Sequence, residues 1–241
     1  MNLHTLILTN NACYKAGRKI SVKGIMVHST GANNPYLKRY VGPDDGLLGK
    51  NQYGDHWNTF HPDGREICCH AFIGKLADGT IATYQTLPWN HRGWHCGGSG
   101  NDTHIGFEIC EDGLSDATYF KTVYQEAVEL CTYLCKQYGL TEQNILCHSE
   151  GYQKGIASNH ADVMHWFPKH GKSMYTFRED VKAKLGGTAE NYRIHTVVHG
   201  DTLWDIAVQY LGNGSRYPEI KSLNGLKSNI LYSGMKLKIP N

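Results

Sequence analysis

"HIGFEICED", residues His104 to Asp112, sets Ile105, Phe107 and Ile109 against Gly106, Glu108 and Cys110. A two-residue alternation is the period of a β-strand, whose successive side chains point to opposite faces. One face is apolar and suits a core; the other carries a carboxylate, Glu108. Around this strand lie three more. "KGIMVHST" (Lys23 to Thr30) reads as a strand ending in a polar cluster, and "DGTIATYQ" (Asp78 to Gln85) as a hairpin start followed by a strand. "NILCHSE" (Asn144 to Glu150) reads as a buried strand that ends in His148. A helix is predicted from about Asp116, because Phe120, Tyr124, Ala127, Cys131, Leu134 and Tyr138 recur at helical spacing and Gly139 follows as a stop. Strands alternating with helices predict an α/β domain with a mixed central sheet flanked by helices.

The chain's 241 residues are enough for one well-buried domain and a small second one. A hydrophobic content of 40% and a charged content of 19% fit a soluble globular protein. A net charge of only +2 argues against a nucleic-acid binder, which carries a strongly basic face. Fourteen histidines direct attention to metal or proton chemistry. No apolar run is long enough to span a bilayer. The opening "MNLHTLILTNNACYKAGRK" places its positive charges after its apolar patch, the reverse of a signal peptide. The eight cysteines are therefore expected as reduced thiols, with Cys131 and Cys135 packing on the apolar side of the helix.

Composition shifts to small and polar residues at "LGGTAEN" (Leu185 to Asn191), which predicts a first domain over 1–186, a linker over 187–191 and a second domain over 192–241. In the tail a strand is expected around His195 to Val197 and a helix from an Asp201 cap. A second helix over about Tyr217 to Leu223 and a last strand over Lys236 to Ile239 complete a βααβ unit. Trp204 is expected in its core.

"HSEGYQKGIASNHADVMHWF" (His148 to Phe167) reads as mostly loop and is rich in metal-ligand types. A catalytic zinc site takes three protein ligands and keeps one position open. His28 closes "IMVH", His148 closes "ILCH", and Asp162 follows in "NHADVMHWFP". From the residues alone, each strand-end histidine also suits a hydrogen-bonded structural role, and Glu108 suits an ordinary strand carboxylate.

"GIMVHSTG", "DGTIATYQTLPWNHRGWHCGG", "THIGFEICED" and "LCHSEG…HADVMHWFP" stand in the order seen in zinc N-acetylmuramoyl-L-alanine amidases. The resemblance covers roughly residues 20 to 185. It is to the branch that includes phage endolysins, bacterial recycling amidases and peptidoglycan recognition proteins. "VHGDTLWDIA", "RYPEIKSLNG" and "SGMKLKIP" resemble a LysM peptidoglycan-binding module. The resemblance implies Zn2+ held by His28, His148 and Asp162, with His160 and His165 as rivals for the third place. It implies Glu108 as the catalytic glutamate. Relatives often carry Lys two residues before the third ligand, as an oxyanion stabiliser; here that position is His160. Trp94, His95 and His70 are the candidate substrate-binding residues near the groove.

The implied activity is hydrolysis of the amide between N-acetylmuramic acid and L-alanine. The partners would be peptidoglycan glycan and stem peptides, without nucleic acid or membrane insertion. The pairing resembles an endolysin, made in the bacterial cytoplasm and acting on the wall after release. A non-catalytic peptidoglycan-binding protein and a stem-peptide endopeptidase are the alternatives.

Overall fold

The first unit, Met1–Leu185, runs β1 (Leu3–Thr5), α1 (Ala12–Ala16), β2 (Gly24–Asn33), β3 (Ala71–Lys75), β4 (Ile81–Gln85), β5 (His104–Glu111), α2 (Ala117–Tyr138), β6 (Ile145–Cys147), α3 (His148–Gln153) and α4 (Met174–Lys184). These elements come from a computed structural model that describes residues 1–59, 67–186 and 192–240. The linker expected over 187–191 lies outside the described residues.

The six strands form one sheet in the order β1-β4-β3-β5-β2-β6. The β3–β4 hairpin is antiparallel, and every other neighbour pair is parallel. This is the mixed α/β sheet flanked by helices that the pattern predicts. In such sheets, ligands gather beyond the carboxyl ends of the strands. Here the parallel neighbours β5, β2 and β6 bring Glu108, His28 and His148 toward one end, with His28 directly opposite Glu108 in the ladder.

α2 begins where Asp116 accepts from the Thr118 and Tyr119 amides. It ends at Gly139, whose left-handed φ of 65° closes the last turn without a Cβ penalty. Its apolar stripe, including Phe120, Tyr124, Ala127, Cys131 and Leu134, packs on Ile105, Phe107 and Ile109 together with Trp166 and Phe177. The opposite face of the sheet is covered as well, by Leu37, Tyr40, Val41 and Leu48 against Phe72, Tyr84 and Cys110. β5 is thus sandwiched, as parallel strands usually are. All eight cysteines are buried, and none is in a disulfide. Among the described residues no helix is long and apolar enough to cross a membrane.

One local expectation needs correction in this unit. His148 opens a helix rather than closing a strand, because the Glu150 carboxylate turns back to accept from the Cys147 amide and caps α3. α3 takes the first six residues of the His148–Phe167 stretch, and most of the remainder is loop and turn, as its sequence predicts.

The second unit, Gly186–Asn241, contains β7 (Tyr192–Thr196), α5 (Leu203–Leu211), α6 (Tyr217–Leu223) and β8 (Lys236–Pro240), with β7 and β8 antiparallel. Its core is Val197, Leu203, Ile206, Ala207, Ile220, Leu237 and Ile239. The cap of α5 is Thr202, not Asp201; the Asp201 carboxylate instead accepts from His195 at 2.7 Å and from the Val198 amide at 2.8 Å. Trp204 is not in the core but 53% exposed. It lies one position off the Leu203–Ile206–Ala207 stripe, with its ring over Gly214.

Candidate metal centre and groove

His28, His148 and Asp162 come together at the carboxyl end of the sheet. Among the described residues they form a His/Asp group whose donor atoms all lie within 4.8 Å of one another. His28 Nδ1 is 3.0 Å from Asp162 Oδ2 and 3.1 Å from His148 Nδ1, and His148 Nδ1 is 3.6 Å from Asp162 Oδ2.

The neighbours decide what these atoms carry. His95 Nε2 lies 3.1 Å from the His104 carbonyl, which can only accept, so that nitrogen donates. His95 Nδ1 is then an acceptor for His28 Nε2–H at 2.9 Å, which leaves the His28 Nδ1 lone pair facing the cluster. On the other side, the Ser158 hydroxyl donates to the Cys96 carbonyl at 3.2 Å and accepts from His148 Nε2 at 3.2 Å. That leaves His148 Nδ1 as a lone pair too. Burial holds the His28 imidazole below its ordinary pKa, with the nearby imidazoles of His148 and His160 adding to this against the pull of Asp162. Burial would lift the Asp162 carboxyl, but the His148 and His28 imidazoles beside it keep it well below the usual range. With the imidazoles in these tautomers, three electron-pair donors, one of them an anion, point at one spot. That arrangement fits a metal cation, with outer partners fixing each ligand's tautomer.

A groove of about 510 Å³ opens over the cluster, lined among others by Ile67, Trp94, His95, Glu108, His160 and His165. Glu108 points into it from β5, and its Oε2 is shielded from solvent without a hydrogen-bond partner. Burial pushes its carboxyl well up, and the charges of Asp162 and Glu111 add to the shift. A carboxylate placed so is a stronger base than an exposed one, which suits a group that accepts a proton and passes it on. His160 is exposed at the rim, its ring 4.8 Å from that of His148. Trp94 is 42% exposed on the wall, with the Arg92 guanidinium 5.1 Å from its ring.

Of the three candidate substrate contacts, only Trp94 presents an open surface. His95 lines the groove, but its ring nitrogens are committed to His28 and the His104 carbonyl. His70 does not reach the groove: it is fully buried, accepts from the Gly106 amide at 3.1 Å and donates to the His91 carbonyl at 2.8 Å. Burial lowers its pKa to about 4. His165, the rival ligand, is tied instead to Glu111 at 2.9 Å. Gly106 explains how His95 lies so close to β5, since a Cβ there would sit 2.3 Å from the His95 ring. Ser158 was invisible in the sequence because a lone hydroxyl carries no pattern.

Residues 17–166, which hold every residue of this site, match the family model described as N-acetylmuramoyl-L-alanine amidase. The chain belongs to the N-acetylmuramoyl-L-alanine amidase family. Residues 195–240 match the LysM domain. The amidase XlyA of Bacillus subtilis is 30% identical over 156 residues, covering 60% of this chain and 46% of XlyA. The chain thus spans less than half the length of that curated amidase. Among solved structures, a mutant of PlyL matches with a TM-score of 0.53 at 20% identity, over 76% of this chain and 99% of that one. The Staphylococcus aureus hydrolase AmiA matches with a TM-score of 0.53 at 19% identity, over 78% of this chain and 86% of that one. These two likenesses establish the amidase fold of the first unit.

Proposed function

We propose that the chain is a zinc-dependent amidase that hydrolyses the bond between N-acetylmuramic acid and the L-alanine of peptidoglycan. In this reading residues 1–186 form the catalytic domain, 187–191 a linker and 192–241 a module that anchors on glycan. The observation that carries it is the triangle of His28, His148 and Asp162 donor atoms beneath a groove that also holds a buried, unpartnered Glu108 oxygen, in a chain of the amidase family. The donor separations of 3.0 to 3.6 Å bracket the edge of about 3.3 Å expected for tetrahedral zinc with N and O ligands.

When bound, zinc supplies Lewis acidity that polarises the scissile carbonyl and lowers the pKa of a water toward about 7. The Glu108 carboxylate takes the proton from the attacking water. As the C–O bond forms and the C–N bond breaks, Glu108 passes that proton to the departing L-alanine amine. His160, at the rim beside His148, donates to the oxygen that gains negative charge. His95 and Ser158 keep His28 and His148 in the tautomers that leave Nδ1 free. Trp94 offers its face to the stem peptide or sugar. The enzyme would be made in the bacterial cytoplasm and reach the wall after release, as an endolysin does.

Mass spectrometry of digested peptidoglycan tests this reading. New L-alanine amino termini on intact stems, with intact glycan, are expected. New termini inside the stem would make the protein an endopeptidase, and binding with no new termini would make it a non-catalytic binder.

A further inference from the structure

We propose that Glu111 and His165 form a positioning pair that locks the segments bearing His28, Glu108 and Asp162 into one register. The proposal rests on the hydrolytic reading above. His165 Nε2 donates to Glu111 Oε1 at 2.9 Å, and the Glu111 side chain is only 6% exposed. A buried carboxylate is costly unless paired, so the contact is held in place. What makes the pair functional is where it sits. Glu111 lies three residues beyond Glu108 on β5, and His165 lies three residues beyond Asp162. The Glu111 amide also donates to Thr30 Oγ1 at 3.2 Å, two residues beyond His28 on β2.

One residue therefore touches the continuation of all three functional segments. It does so where the sheet no longer can. β2 and β5 pair in regular register from Gly24–His104 to Ser29–Ile109, and the register then shifts before Asn33–Glu111. Beyond Ser29 the side-chain tie does the work of the interrupted ladder. The Asp162 segment has no strand ladder of its own: Val163, Trp166 and Phe167 anchor it in the core, the Ser149 amide reaches the Asp162 carbonyl at 3.4 Å, and the His165 side chain ties it to the end of β5. Neither Glu111 nor His165 is needed to touch the reacting atoms.

The experiment compares Glu111→Ala, His165→Ala, the double variant and Glu111→Gln in the full chain. Zinc affinity is read by chelator competition, without substrate, and kcat and KM are read on soluble muropeptide. Each alanine variant is expected to lose about 10–100-fold in zinc affinity or kcat, as partners behind metal ligands do, with KM little changed. The double variant should lose no more than the larger single loss, because both changes break one tie. Glu111→Gln keeps an acceptor for the imidazole N–H and should recover most of the loss. Alanine variants with unchanged zinc affinity and kcat would overturn the proposal, as would losses that add in the double variant or a glutamine variant as poor as alanine. If Glu111→Ala does not fold, His165→Ala carries the test, since its side chain is 31% exposed. Wild-type turnover checks the amidase reading separately: zinc affinity can fall in the variants whether or not the substrate is the one named.

Discussion

In the first unit the polar side chains of the site are inside: His28, His148 and Asp162 are 1%, 5% and 9% exposed. In the second unit it is the apolar side chains that are outside, with Trp204, Ile230 and Tyr232 at 53%, 63% and 69%. On the function proposed above, the contrast follows from what each unit would do. Moving protons and charge calls for donors fixed in a water-poor site, where electrostatic interactions are strong and need no reorganisation. Burying such groups demands a scaffold that satisfies them, and the first unit has layers on both faces of a sheet to do so. Holding a polymer needs only surface. A small unit with seven described residues in its core can supply it by leaving large side chains uncovered.

The contrast breaks most sharply if the metal site is not where the chemistry lies. His28→Ala is expected to abolish zinc binding and turnover while the chain still pellets with purified peptidoglycan. Full zinc content in this variant by metal analysis would remove the triangle from the account. Conversely, residues 192–241 alone should pellet with peptidoglycan, and the chain without them should still turn over soluble muropeptide.

Glu108→Ala should keep its zinc and lose about 10²–10⁴-fold in turnover, the range supplied by general acid–base catalysis. Near-normal turnover with full zinc would exclude Glu108 as the base. His160→Ala should also keep zinc and lose about 10²–10³-fold, as the loss of one oxyanion donor does. Zinc loss there would make His160 a ligand.

Much of this was legible in the sequence. The alternation at 104–112 and the capped periodicity from Asp116 to Gly139 each have one physical reading, and the structure follows both. The second cover of the sheet was not legible, because Leu37, Tyr40, Val41 and Leu48 lie in a stretch with little regular structure and hence no period to read. The motif order pointed to His28, His148 and Asp162, which do come together. It could not separate His70 from Trp94, since residue type says nothing of which ring is walled in. Nor could it find Glu111 with His165, whose partnership spans 54 residues of chain.

A smaller effect sharpens the comparison through pH. His70 is neutral when folded, with its pKa lowered from 6.5 to about 4. The unfolded chain takes up a proton there below about 6.5 and the folded one does not, so stability falls as pH drops through that window. The loss is on the order of 3 kcal/mol and is complete near pH 4. Denaturant titrations of the amidase unit between pH 7 and 4 should show this slope, and His70→Gln should flatten it. An unchanged slope would mean that other groups carry the acid sensitivity. The smallest effect is expected in the second unit. Tyr232→Ala should alter stability by no more than about 0.5 kcal/mol, as exposed substitutions do. It should still weaken pelleting with peptidoglycan; unaltered pelleting would place the glycan contact elsewhere.

The path that fixes the His28 tautomer ends on the main-chain carbonyl of residue 104. Tolerance to substitution should therefore run opposite to first intuition. The position that supplies the final acceptor can change its side chain and still supply it, because every amino acid brings a carbonyl. Residue 106, which contributes no side chain at all, is the constrained one: a single methyl there would collide with the ring of His95 and turn it away from His28. In a saturation scan read for activity, position 104 should accept many residues and position 106 almost none.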